Sequence, residues 1–164
     1  PVLTDGGRQL YMDACGELLL VYCRRKEFSI DPMYPGVGEK YIEKFFGKFE
    51  EHFPGECGKH INYFFSDELN FNIRGNLWSD DFKEEFLKRK GYDITEKWEA
   101  LFRDTGEETP KIRLDYYDVI VQLSEEEYFR PVYEWHESRG MTFGCADLRR
   151  RCGRCRVPEF WIGT

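Results

Sequence analysis

No stretch of this sequence approaches the ~18 consecutive apolar residues of a membrane-spanning helix, and the run Leu18-Leu19-Leu20-Val21 is only strand-sized. Positive charge is also short. The chain sets 24 Lys and Arg against 31 Asp and Glu, a formal charge of −7, which argues against a generic partner in nucleic acid or an anionic membrane. Histidine occurs three times, at 52, 60 and 136, and never as an H-x-x-x-H pair, so a metalloprotease lacks its ligands. There is no G-x-S-x-G elbow, no Walker loop and no G-x-G-x-x-G, since Gly36-Val37-Gly38 is too short. Serine hydrolase, nucleotide and dinucleotide chemistry therefore lack their residues. The opening Pro-Val-Leu-Thr-Asp has no basic flank followed by an apolar stretch, so no signal peptide is visible. With six Cys, cytoplasmic and secreted or periplasmic locations both remain open.

What the chain does have is aromatic mass. Its 164 residues suit one domain, since ~150 residues is a common domain size, and such a domain buries roughly two thirds of its unfolded surface. Phe, Tyr and Trp number 14, 10 and 4. At ~150–250 Å² each they dominate the available core area. Several stand beside acids and asparagines, as a carbohydrate site requires, although most are expected in the core.

The pattern along the chain is of the α/β kind. Leu18 to Tyr22 reads as a strand buried on both faces, as in a parallel sheet. From Glu39 to Phe53, Tyr41, Ile42, Phe45, Phe46 and Phe49 recur at helical spacing, and Pro54-Gly55 ends the run. Ile61 to Phe65 is a second buried strand, ending in Ser66-Asp67-Glu68. Ser79 to Lys90 has a candidate N-cap, acids in its first turn, bases in its last and Gly91 as its stop. A short helix follows near Thr95 to Phe102. The spacing then predicts a long helix from Pro110 to Ser138, kinked or divided at Pro131, and a third strand at Met141 to Gly144. Strand, helix, strand, helices, strand is the order of parallel βαβ connections. Right-handed crossovers would put the loops that follow the strands on one face.

The residues that could carry chemistry cluster at those strand ends. A carboxylate at the carboxyl end of a parallel strand projects into the mouth of an α/β site, held by the rigid strand before it. Glu68 and Asp67 occupy that place, and adjacent residues on an extended chain point to opposite sides. Burial beside Phe65 or Phe71 would raise a carboxyl pKa, as a general acid at neutral pH requires. Asn70 follows as a polar contact. Asp31, in the Asp31-Pro32-Met33-Tyr34 loop, offers either an Asx turn or a substrate contact. Trp78 either staples the start of the helix behind it or stacks on a sugar.

The final residues change character. Residues 145–164 hold five Arg against Asp147 and Glu159, and Cys145, Cys152 and Cys155 fall in one short stretch. Cys152-Gly153-Arg154-Cys155 is at most half a zinc or redox motif. The division is therefore 1–144 as the folded α/β part and 145–164 as a basic Cys/Arg-rich tail. The tail is either a disordered terminus or a segment foreign to this fold.

Three stretches taken together resemble a known family. They are Tyr63-Phe64-Phe65-Ser66-Asp67-Glu68-Leu69-Asn70-Phe71, then Leu77-Trp78-Ser79-Asp80-Asp81-Phe82 through Lys88-Arg89-Lys90-Gly91-Tyr92-Asp93, then Arg113-Leu114-Asp115-Tyr116-Tyr117 with Tyr128 to Phe143. Over residues 17–144 the chain resembles bacterial glycoside hydrolases related to the α-L-rhamnosidases of glycoside hydrolase family 106. The resemblance implies a partial (β/α)8 TIM-barrel segment, with parallel strands and amphipathic helices. It also implies inverting hydrolysis of O-glycosidic bonds with Glu68 as general acid, often with a calcium ion, although no calcium-ligand motif is identifiable here. Asp31, Asp67, Asn70 and Trp78 become candidate contacts to a carbohydrate substrate. A complete barrel takes ~200–250 residues, so the second carboxylate of the pair, ~6.5–9.5 Å from the first in an inverting enzyme, is expected on a strand outside this chain. The alternative is a non-catalytic carbohydrate-binding or protein-interaction domain. An exposed sheet edge would in either case favour self-association.

Overall fold

Connection length decides how the first strands pair. The computed structural model describes residues 3–5, 8–12, 18–22, 30–66, 71 and 76–145, the first three segments as backbone strands. β1 (Leu3–Asp5), β2 (Arg8–Met12) and β3 (Leu18–Tyr22) form an antiparallel sheet in that order, with Leu20 opposite Leu10. This corrects the reading of Leu18 to Tyr22 as a strand of the parallel sheet. Residues 13–17 are too few for the crossover of a dozen or more residues that a parallel return needs, so β2 and β3 can only make a hairpin.

The expected parallel pairing is made further along. β4 (Tyr63–Ser66) and β5 (Thr142–Cys145) pair parallel, with Phe64 opposite Phe143 and Ser66 opposite Cys145. The helices lie between them in sequence, as a parallel crossover requires. A mixed helix and strand protein of the α/β kind therefore stands, in two separate sheets rather than one.

The helix before β4 runs without a break through α1 (Val37–Tyr41), a π-helical turn at Ile42–Phe46 and α2 (Gly47–His52). Gly38 is required there by proximity. A Cβ on it would lie 2.7 Å from the Glu127 carbonyl oxygen and 3.0 Å from that of Tyr128. After β4 come α3 (Phe82–Lys90), a 3₁₀ turn (Ile94–Lys97) and α4 (Glu99–Phe102). Gly91 stops α3 with a φ of 77°, in the left-handed region glycine tolerates. The predicted Ser79 cap is displaced, because the helix begins at Phe82, whose N–H bonds the backbone carbonyl of Ser79.

The long helix is α5 (Thr109–Ser124), a π-helical turn (Glu125–Phe129) and α6 (Arg130–Glu137). Pro131 neither ends nor divides it. Proline has no N–H for the carbonyl four residues back, here Glu127. The wider π turn takes up that mismatch just ahead of the ring, and Gly38 approaches the same carbonyl.

Two cores share this helix. In the first, Ile112, Tyr116, Val119 and Leu123 pack against Phe82 and Phe86 of α3 and against Ile94 and Trp98. In the second, Tyr128 and Val132 pack with Phe46 and Phe143, joined by Phe64, Phe71 and Trp135. Each fully buried Phe contributes roughly 1.5–3 kcal/mol of apolar transfer, so the aromatic content is the main driving force of both cores. β4 follows the alternation. Phe64 turns inward, while Tyr63 and Phe65 on the opposite face remain 68% and 59% exposed.

Candidate functional site

The carboxyl ends of β4 and β5 lie side by side, with Ser66 in register with Cys145. Glu68, Asp67 and Asn70 follow Ser66 in the chain and lie outside the described residues, as do residues 146–164 of the tail. Asp31 and Trp78 are described, and they belong to adjoining loops.

Asp31 forms the Asx turn. One of its carboxylate oxygens accepts the Met33 N–H at 3.0 Å, and its backbone carbonyl accepts the Tyr34 N–H at 3.2 Å. Burial raises its pKa above the usual carboxylate range, the Met33 hydrogen bond opposes that, and the Asp80 charge adds to the rise. The 30–36 loop lies beside the 78–81 segment, Met33 and Pro35 facing the same space as Ser79 and Asp81. Met33 is itself a member of the first core, on which Trp78 packs. The Trp78 ring lies 4.9 Å from that of Phe82 and 4.8 Å, edge to face, from that of Trp98. A staple would pair the residue before the cap with the fourth of the helix, here Asp80 with Glu85, so Trp78 makes none; it contacts Phe82, the first residue of α3, and its half-buried ring sits at the rim of the core.

Beside these loops is a cleft of about 400 Å³. Met33 and Ser79 line one side, Glu84 and Arg89 of α3 another, and Glu126 and Glu127 of the π turn a third. Arg89 reaches across between the helices, bonding both Glu85 on its own helix and Glu126 and Gln122 opposite. Its guanidinium holds the Glu126 carboxyl below the usual range. Glu127 accepts the Gly36 N–H at 2.8 Å and so ties the loop to the long helix. Acids outnumber bases along the lining, and ionised carboxylates only accept hydrogen bonds. The cleft therefore suits a ligand rich in hydroxyl or ammonium donors. Sequence patterning reads Lys88-Arg89-Lys90 as a helix end, and Glu125-Glu126-Glu127 is an acidic run within the long helix. No local signal shows that the two runs meet across 37 residues.

Two further polar clusters are structural. The Cys57 thiol is pushed up to about 11 by burial and by neighbouring Glu50, so it is protonated and a poor nucleophile at neutral pH. His136 is buried at 1% exposure, with Phe46, Trp135 and Phe143 at ring distances of 4.6, 4.9 and 5.0 Å. Its Nδ1–H donates to the Val132 carbonyl at 2.6 Å, while Nε2 has no partner among the described residues. Burial lowers its pKa, and the Val132 bond only partly offsets this. Below pH ~6.5 the unfolded chain takes up a proton that the folded chain refuses, so stability falls as pH falls toward the lower folded pKa. Each pH unit in that window costs up to about 1.4 kcal/mol. Urea denaturation at pH 7.5 and 5.5 is expected to show the loss, and His136→Phe is expected to flatten it. An equal pH dependence in both proteins would remove His136 as its source.

Among the described residues, no group of three or more His, Cys, Asp or Glu is arranged to hold a metal ion, and no helix is long and apolar enough to cross a membrane. No family model matches the sequence, and no curated protein is significantly similar to it.

Proposed function

We propose that this chain is part of the catalytic (β/α)8 barrel of a glycoside hydrolase similar to the α-L-rhamnosidases, with Glu68 as its general acid. The observation that carries the reading is the parallel pair β4 and β5, with Ser66 and Cys145 adjacent at their carboxyl ends. In α/β folds the loops leaving that edge hold the active site, and Asp67, Glu68 and Asn70 come directly after Ser66 in the chain. The chemistry needs two carboxyl groups. Glu68 gives its proton to the glycosidic oxygen as the bond to the anomeric carbon breaks. A water bonds to that carbon from the opposite face and loses its proton to a second carboxylate. Asp31, Asp67, Asn70 and Trp78 are the proposed contacts to the sugar. The acidic lining of the cleft beside the Asp31 and Trp78 loops accepts hydrogen bonds from hydroxyls.

A second reading has its own support. Tyr63 and Phe65 present exposed rings on the open face of β4, as a carbohydrate-binding or protein-interaction surface without catalysis would. Two assays on one preparation separate the readings. Hydrolysis of rhamnosides by the protein carrying the complete barrel is expected, with inversion at the anomeric carbon. Glycan binding without turnover, weakened by Tyr63→Ala and Phe65→Ala, would establish the second reading instead.

A further inference from the structure

Helix α5 carries two apolar stripes, and only one has a partner along its whole length. Ile112, Tyr116, Val119 and Leu123 enter the first core. Pro110, Leu114, Tyr117 and Val121 follow one another at steps of four, three and four residues, which gathers them on a single line at about 3.6 residues per turn, opposite the buried side. On that line Leu114 is 69% and Tyr117 54% exposed. The same side of the helix is buried from Ser124 onward, and Tyr128 lies in the second core. The stripe is thus the uncovered start of a line whose continuation is core.

We propose that this stripe is the docking surface for a second copy of the chain, with the two α5 helices antiparallel across a two-fold axis. The spacing of the stripe is that of a coiled-coil seam. Antiparallel alignment sets Leu114 on Tyr117 of the second copy and Pro110 on its Val121, each pair occurring twice. Charge chooses the direction. Lys111 and Asp118 border the same flank of the stripe, two helical turns apart. In one copy they do not meet. Lys111 reaches Asp115 at 2.6 Å, and Asp118 is held by Lys90 and by Gln122 at 2.9 Å. In the antiparallel alignment Lys111 of each copy comes opposite Asp118 of the other. In a parallel alignment this flank would instead face the opposite flank of the other copy, and Asp118 would meet Arg113, whose guanidinium is already tied to the Ala100 carbonyl at 2.7 Å. Lys111 is 70% exposed at its side chain, so turning it from Asp115 toward a second copy is cheap.

Sedimentation equilibrium of the chain is expected to show a monomer–dimer equilibrium. Leu114→Glu should leave a folded monomer at every concentration, because the site is exposed and the core is untouched. Lys111→Glu and Asp118→Lys should each weaken the dimer about tenfold, the effect of two ion pairs of ordinary surface strength. The double reversal should bring it back to within about threefold of the original. Residues 111 and 118 are too far apart to compensate within one helix, so that recovery requires a pair between copies. Thermal melts confirm that each variant is folded. A chain monomeric throughout overturns the proposal, as does a double reversal no tighter than either single one. So does a dimer that survives Leu114→Glu, which would run through another surface such as the outer edges of β4 and β5.

Discussion

Gly58→Ala is expected to destabilise the protein by about 3 kcal/mol or more, lowering the melting temperature by roughly 6–12 °C. Two costs add at this position. Its φ is 82°, a left-handed conformation that charges an L-residue roughly 1–2 kcal/mol. Its Cβ would also stand 1.7 Å from the Arg139 carbonyl oxygen and 3.0 Å from the carbonyl carbon. The obstacle is backbone, so no rotamer relieves it. Gly58 sits in the turn that leads into β4, where its N–H bonds the Ile61 carbonyl at 2.8 Å. Arg139 sits in the turn that leads into β5. Just beyond both, the Thr142 N–H bonds the Asn62 carbonyl at 3.0 Å and begins the parallel pairing. Pushing the two turns apart therefore strains the first rung of the β4/β5 ladder. Gly55→Ala isolates the conformational cost, since Gly55 has a φ of 74° and its nearest neighbour is the flexible Lys59 ammonium at 3.9 Å. That variant should lose only about 1 kcal/mol. Equal losses in the two proteins would show that the close approach contributes nothing.

The same pair of turns shows what sequence patterning can and cannot reach. The helix punctuation is local chemistry, and it is legible. Pro54-Gly55 ends the first long helix, Gly91 ends α3, and the 3.6-residue spacing of Leu114 to Trp135 marks the long helix. The helices between β4 and β5 allow the parallel pairing that the order of elements suggested, although the same order misplaced Leu18 to Tyr22. Gly58 is different. Nothing near it in sequence announces that Arg139 lies against it, and glycine in a turn would be expected for φ alone. The antiparallel β1–β2–β3 sheet was hidden for a related reason. Leu18 to Tyr22 lacks the polar alternation of a half-exposed strand, and the connection length carries the information that the composition hides.

The site was less legible than the fold. Trp78 offers the same residue type to a core or to a sugar, and its contacts with Phe82 and Trp98 belong to the core. Asp31 makes the Asx turn that its place before Pro32 favours, while its loop abuts the acidic cleft. Arg89 joins the two helices that frame that cleft, a contact made only by tertiary folding. The aromatic excess, which suggested carbohydrate stacking, goes mostly to the two cores. Among the described residues Tyr34, Phe45, Phe53, Tyr63, Phe65, Phe102 and Tyr117 stay exposed, and of these Tyr63 and Phe65 share a sheet face while Tyr117 lies on the helix stripe.

Glu68→Gln is the sharpest test of the catalytic reading, because it keeps the side-chain shape and removes only the proton that can be transferred. In the protein carrying the complete barrel, turnover of a rhamnoside with an ordinary sugar alcohol as leaving group should fall by about 10²–10⁴-fold, the usual contribution of general acid catalysis. KM should change little, since the amide still makes most of the contacts of the carboxyl group. Leaving-group dependence carries the argument further. An aryl rhamnoside that releases an acidic phenol needs little protonation to depart, so the variant should act on it far more nearly like the parent. The alkaline limb of the pH–rate profile reports loss of the catalytic proton, and that limb should disappear with the carboxyl. Equal losses on both substrates would assign Glu68 to binding or to base catalysis instead. Unchanged rates on both would leave the acid to another residue.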